Sequence, residues 1–176
     1  MKALYPRNAT LRIALLWLVT CALFVAGFAI YRHRELSFQR NAENQGLIVV
    51  ASNVRLGITL MKTKGYSSGS LLPIEATYNL ANADGIIEGL SSELSQEGIN
   101  ANGLYSEMSS LMLAGAANGM KTSVQTRLAI IAWYQAFSNV ILDNKGDPVD
   151  SLRRQQDTLI RKYNDNAHKR IFWPAF

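Results

Sequence analysis

Apolar residues run without a single charge from Ile13 to Tyr31, in the stretch IALLWLVTCALFVAGFAIY, and then give way to a periodic pattern. At ~1.5 Å of rise per residue, such a run comes close to a hydrocarbon core roughly 30 Å thick. Only a helix satisfies every backbone group internally in lipid, so a transmembrane helix is predicted over 13–31. A cleaved signal peptide has a shorter apolar core, about 7–15 residues. The continuation through Ile30 and Tyr31 therefore favours an uncleaved signal anchor.

After the span, Leu47, Val50, Val54, Ile58 and Met61 recur at three- and four-residue steps and form one helical stripe. Leu36 extends it towards the membrane, with Arg40 and Glu43 as polar interruptions, and predicts a first helix reaching about Thr63. A second helix is expected after Pro73, with Ile74, Tyr78, Ala81, Ile86, Ile87, Leu90 and Leu94 facing inward. Gly85 and Gly89 weaken it, and Glu97-Gly98 reads as its stop. A third helix is expected over 104–117, with Leu104, Met108, Leu111 and Met112 inside. The fourth, over 121–143, is the most apolar and carries Val124, Leu128, Ile131, Trp133, Tyr134, Phe137, Val140 and Ile141. After the DNKGDP break, a charge-rich fifth helix over 149–172 has Leu152, Leu159, Ile160, Tyr163 and Ile171 as its apolar positions.

No stretch alternates with period two, so the expected fold is all-α: one N-terminal transmembrane helix, then an antiparallel bundle of four to five helices. The predicted organisation is a basic tail over 1–12, the span over 13–31, a juxtamembrane helical linker over 32–46, the bundle over 47–172 and an aromatic tail over 173–176.

Charge adds topology. The chain carries 18 Lys+Arg against 13 Asp+Glu, and several of the cations flank the apolar run. That placement orients a membrane span and does not make a nucleic-acid footprint, so no nucleic-acid partner is expected. The short tail with Lys2, Arg7 and Arg12 places the N-terminus in the cytoplasm and the bundle on the periplasmic or extracytoplasmic side of the inner membrane.

Candidate chemistry is sparse. The lone cysteine, Cys21, lies within the apolar run, which excludes an internal disulfide and a Cys/His metal cluster. His33 and His168 are far apart among charges. The serines of GYSSGS lack a nucleophile-elbow context, and the segment lacks P-loop spacing. No catalytic residue, metal or cofactor is read from the sequence, and a non-enzymatic role is expected. Two cations, in contrast, sit beside apolar stripes: Arg55 next to Val54 and Arg127 next to Leu128. A guanidinium near a core must be paired, because an isolated buried charge is very costly. A small planar anion held between helices satisfies two arginines; so does a helix-edge position, with the guanidinium reaching water or paired with Glu75, Asp84 or Glu88.

The stretch RLGITLMKTKGYSSGSL, with Lys62, Lys64, Gly65, Ser67, Gly69 and Leu71, resembles the end of the first helix in bacterial nitrate- and nitrite-sensing (NIT-type) helical domains. Thr63-Lys64 stands where that family has Glu-Arg. WYQAFSNVILD, from Trp133 to Asp143, is similar to the family's tyrosine-containing helix. The resemblance implies a sensory domain that binds a small anion, with Arg55 and Arg127 as the matching candidates and Lys64, Gly65, Ser67 and Gly69 as the motif turn. A signal is then expected to pass to a protein partner or to a second copy through the bundle. The rival expectation is a structural or assembly subunit of a membrane complex, with the terminal RIFWPAF as one docking surface.

Overall fold

The computed structural model describes residues 6–66, 70–101, 103, 124–143 and 146–168, with side chains over 11–66, 70–101, 103, 128, 131–143 and 146–161. The expected third helix over 104–117 and the aromatic tail over 173–176 lie outside the described residues. Among those described, all regular structure is helical: α1 (Pro6–Lys62), α2 (Leu72–Gly89), α3 (Ser91–Gln96), α4 (Val124–Leu142) and α5 (Pro148–His168). The chain divides into two units, Met1–Asn41 and Ala42–Phe176.

The first unit contains the N-terminal part of α1. This part is long and apolar enough to cross a membrane, and its large side chains, among them Trp17, Phe24 and Phe28, are exposed. Thr20 donates its hydroxyl to the Leu16 carbonyl one turn back, so the polar group within the run is satisfied by the helix itself. Cys21 is an exposed free thiol.

In the second unit, the predicted stripe of α1 is the core seam: Leu47, Val50, Val54, Ile58 and Met61 are all buried. Glu43, expected to interrupt the stripe as a polar position, is itself buried. α1 ends in a turn where Thr63 N–H donates to the Leu60 carbonyl and Tyr66 N–H to that of Thr63. Gly65 adopts φ 90° there, a left-handed conformation that costs side-chain-bearing residues about 1–2 kcal/mol.

α2 starts with Pro73 in its first turn and Glu75 near its positive end, both suited to a helix N-terminus. Its inward face differs from the sequence expectation. Pro73, Ala76, Leu80, Ala83 and Ile87 are buried, whereas Ile74 and Tyr78 are about two-thirds exposed and Ala81 is also exposed. The reason lies in α1: Leu90 packs over Gly46 and Leu80 over Gly57, so the small residues of both helices permit close approach. A Cβ at Gly57 would sit 3.1 Å from Leu80 Cγ.

The expected second helix is two elements, divided at Leu90. α3 closes with Gly98 at φ 76°, Gly98 N–H donating to Ser95 O (3.0 Å) and Ile99 N–H to Leu94 O (2.9 Å). This is a Schellman closure, completed by the apolar pair Leu94 and Ile99, both buried. Glu97-Gly98 is thus the stop that the sequence predicts.

α4 supplies the largest core side chains. Trp133, Tyr134 and Phe137 are fully buried, and the indole of Trp133 and the ring of Phe137 stack at 5.7 Å. Trp133 Nε1–H donates to the Leu159 carbonyl of α5 at 3.1 Å. Leu128, one of the apolar residues of this helix, is more than half exposed. α5 begins one residue earlier than predicted, because Asp147 caps it: its Oδ1 accepts from Asp150 N–H at 3.1 Å, ahead of Pro148.

Candidate functional site

Arg55 is the predicted site residue whose geometry is fullest. Its Nη2 donates to Asp143 Oδ1 at 2.8 Å and to Asn139 Oδ1 at 2.9 Å, joining the C-terminal part of α1 to the end of α4 and the residue that follows it. The pair is at a helix edge, with the Arg55 and Asp143 side chains 46% and 55% exposed. A partner carboxylate is therefore present, but it comes from the residue that follows α4, where the sequence suggested Glu75, Asp84 or Glu88. Two turns further along α1, Lys62 Nζ donates to Gln135 Oε1 at 3.0 Å. Two cations of α1 thus reach the same face of α4, and the segments 55–71 and 127–143 are neighbours through them.

Arg127 belongs to α4 by its backbone, but its side chain lies outside the described residues, as do Ser67 and Gly69 of the motif turn. Lys64 and Gly65 are both exposed in the turn that follows α1. The described residues do not bring Lys64 to Arg55. His33 is exposed on α1. Among the described residues there is no group of three or more His, Cys, Asp or Glu able to hold a metal. An open apolar groove lined by Leu11, Leu15, Leu16 and Val19 beside Arg12 belongs to the first unit.

A second polar cluster joins α1 to the start of α5. Asn44 Nδ2 donates to Asp147 Oδ2 at 2.8 Å, while Asn44 Oδ1 accepts from Val149 N–H at 3.1 Å. Asn44 and Asp147 together satisfy two of the amides that a helix start leaves without intrahelical partners. A third cluster fixes the α3 closure against α5: Gln156 Nε2 donates to Gly98 O (3.0 Å), and its Oε1 accepts from Asn100 N–H (3.3 Å). Arg153 bridges Glu97 and Asp150 beside it.

Asp147 had a legible signal, an Asp directly before Pro148 at the head of a helical pattern. Asn44, Asn139 and Gln156 had none, since each acts across more than 50 positions. No family model, curated protein or solved structure matches the chain.

Proposed function

We propose that the protein is a single-pass inner-membrane protein whose helical bundle is a small sensory-like domain on the extracytoplasmic side. The observation that carries this reading is α1, which bears both an exposed, charge-free apolar run and the buried seam from Leu47 to Met61. Antiparallel packing of α1 with α2 and with α4 is part of the reading. It is supported by the opposed order of the contacts Gly46–Leu90 and Gly57–Leu80, and of Lys62–Gln135 and Arg55–Asn139.

In this role the domain does no covalent chemistry. A small planar anion such as nitrate, nitrite or a short carboxylate competes with Asp143 for Arg55. Both existing bonds leave Nη2, and the remaining donors of the guanidinium suit a second, planar acceptor. An exposed ion pair contributes only about 0.2–1 kcal/mol, so a weak ligand suffices to displace it. Loss of the pair changes the coupling of α1 to α4, which supplies the differential affinity for two helix arrangements that a ligand-driven shift requires. α1 is the covalent route from that pair to the membrane, and a partner receives the signal. In this reading the two segments that resemble nitrate- and nitrite-sensing domains meet at Arg55–Asp143.

Thermal-shift titration of the full chain with nitrate, nitrite and acetate tests the reading. A rise in the unfolding midpoint at millimolar anion, lost in Arg55→Ala, is expected; no shift with any of the three opposes anion sensing. Arg127→Ala in the same titration decides whether the second arginine belongs to the site.

A structural or assembly subunit is the second reading. It is favoured by Ile74 and Tyr78 on one outer face of α2, with Leu71 at its N-cap, each at least 66% exposed. A partner that co-purifies with the full chain and is lost on Ile74→Glu with Tyr78→Lys favours this reading over the sensor.

A further inference from the structure

The face of α1 opposite the core carries no charge for five turns. Ala42, Gln45, Val49, Ser52, Leu56 and Thr59 follow one another at alternating three- and four-residue steps, and all six are exposed. At ~1.5 Å per residue the row extends for about 26 Å along the helix. Its spacing is that of a coiled-coil seam, with Ala42, Val49 and Leu56 at one set of positions and Gln45, Ser52 and Thr59 at the other. Val49 and Leu56 are 46% and 55% exposed on it.

Two further features make the row fit for burial. Its hydroxyls are already spent: Ser52 Oγ donates to Ile48 O and Thr59 Oγ1 to Arg55 O, each at 2.8 Å. Their hydrogens point back into the helix, leaving carbon at the surface. The cations on its rim are also engaged elsewhere, because Arg55 and Lys62, seven positions apart, both turn onto α4. Two copies meeting along this row would not set those charges against each other.

We propose that this face of α1 is the contact surface for a second copy of the chain, forming a parallel dimer around Val49 and Leu56. A parallel two-fold places each residue opposite itself: Val49 and Leu56 make apolar pairs, and the Gln45 amides donate to and accept from one another. The parallel orientation rests on the membrane reading given above, since α1 anchors every copy in the same direction. Anchoring also presents every row at one height and raises its effective concentration, so a modest seam suffices. With Arg55 beside the seam, dimer contact and the Arg55–Asp143 pair share one helix, which gives the signal a partner.

Disulfide crosslinking of the full chain in native membranes tests this, in a Cys21→Ser background. Val49→Cys and Leu56→Cys are each expected to give a band at twice the monomer mass under mild oxidation. The exposed controls Glu93→Cys on α3 and Asp157→Cys on α5 are expected to give at most a tenth of that yield. Self-crosslinking at both 49 and 56 requires parallel helices, since an antiparallel pair brings only one such position to its own copy. Adding Leu56→Glu to Val49→Cys should reduce the band at least tenfold with unchanged helicity. Equal yields at the controls, no band at 49 or 56, or a band of another mass overturns the proposal. An anion titration that fails while these crosslinks form removes the sensor reading and leaves the dimer. Crosslinks at 49 and 56 in a chain that alkaline carbonate releases from membranes leave the dimer and remove the anchor.

Discussion

Arg55 on α1 and Asp143, directly after α4, lie 88 positions apart in sequence and 2.8 Å apart in space. With Asn139 as a second acceptor, the arginine pins the register of the two helices at the surface. The stability of the unit comes from elsewhere, from the buried cluster of Leu47, Val54, Trp133, Tyr134, Phe137 and Leu152 below it.

Because the pair is about half exposed on both sides, Arg55→Ala and Asp143→Asn should each change unfolding free energy by no more than about 1 kcal/mol. Denaturant unfolding of the two single variants and the double variant measures their coupling. Asp143→Asn should also tighten anion binding by removing the competing carboxylate, whereas Arg55→Ala should abolish it.

Loss of the α5 cap should cost more than loss of that surface pair. Asp147→Ala removes the acceptor for Asp150 N–H, a change worth about 0.5–2 kcal/mol. Asn44→Ala leaves Val149 N–H without its acceptor. Since Asn44 and Asp147 are bonded to each other, the two costs should add to more than the double variant shows in chemical denaturation.

Glycines should respond with opposite signs. At Gly65 and Gly98 the positive φ makes Ala unfavourable by about 1–2 kcal/mol. At Gly85, inside α2, a Cβ would meet nothing within 4 Å, so Gly85→Ala should raise stability by up to about 1 kcal/mol. Thermal unfolding of the three variants side by side reads the difference.

Trp133→Ala should be the most damaging of these substitutions, by about 3–5 kcal/mol. The indole is buried, stacks on Phe137 and donates to Leu159 O. Trp133→Phe keeps most of the volume and loses the hydrogen bond, and should cost about 1–3 kcal/mol. Equal, small effects from both would contradict the placement of Trp133 in the core.

The α1 seam was legible because five large apolar residues, Leu47, Val50, Val54, Ile58 and Met61, follow one another on one face, whereas the opposite row has Val49 and Leu56 separated by polar positions. α2 was not, because apolar side chains occupy two faces, one through Ala76, Leu80 and Ala83 and the other through Ile74, Tyr78 and Ala81. Periodicity cannot rank them. The choice depends on how near α1 comes, and Gly46 and Gly57 let it come close. The α3 stop was readable from Glu97-Gly98, a local signal with a local cause. Arg55 was recognisable as a cation needing a partner, but its choice of Asp143 over the acids of α2 is a property of tertiary register. A stretch such as KTKGYSSGSL reads securely as the end of α1 through Gly65; the roles of Lys64, Ser67 and Gly69 belong to the proposed sensor.

Labelling of a cysteine on α5 tests the anchored, outward-facing domain most directly. Asp157→Cys in a Cys21→Ser chain is exposed to a membrane-impermeant maleimide on intact bacterial spheroplasts, with the labelled protein then recovered from the membrane pellet. Prompt labelling before lysis, on protein that resists alkaline extraction, is the predicted result. Labelling only after lysis, or recovery of the chain in the soluble fraction, would contradict it.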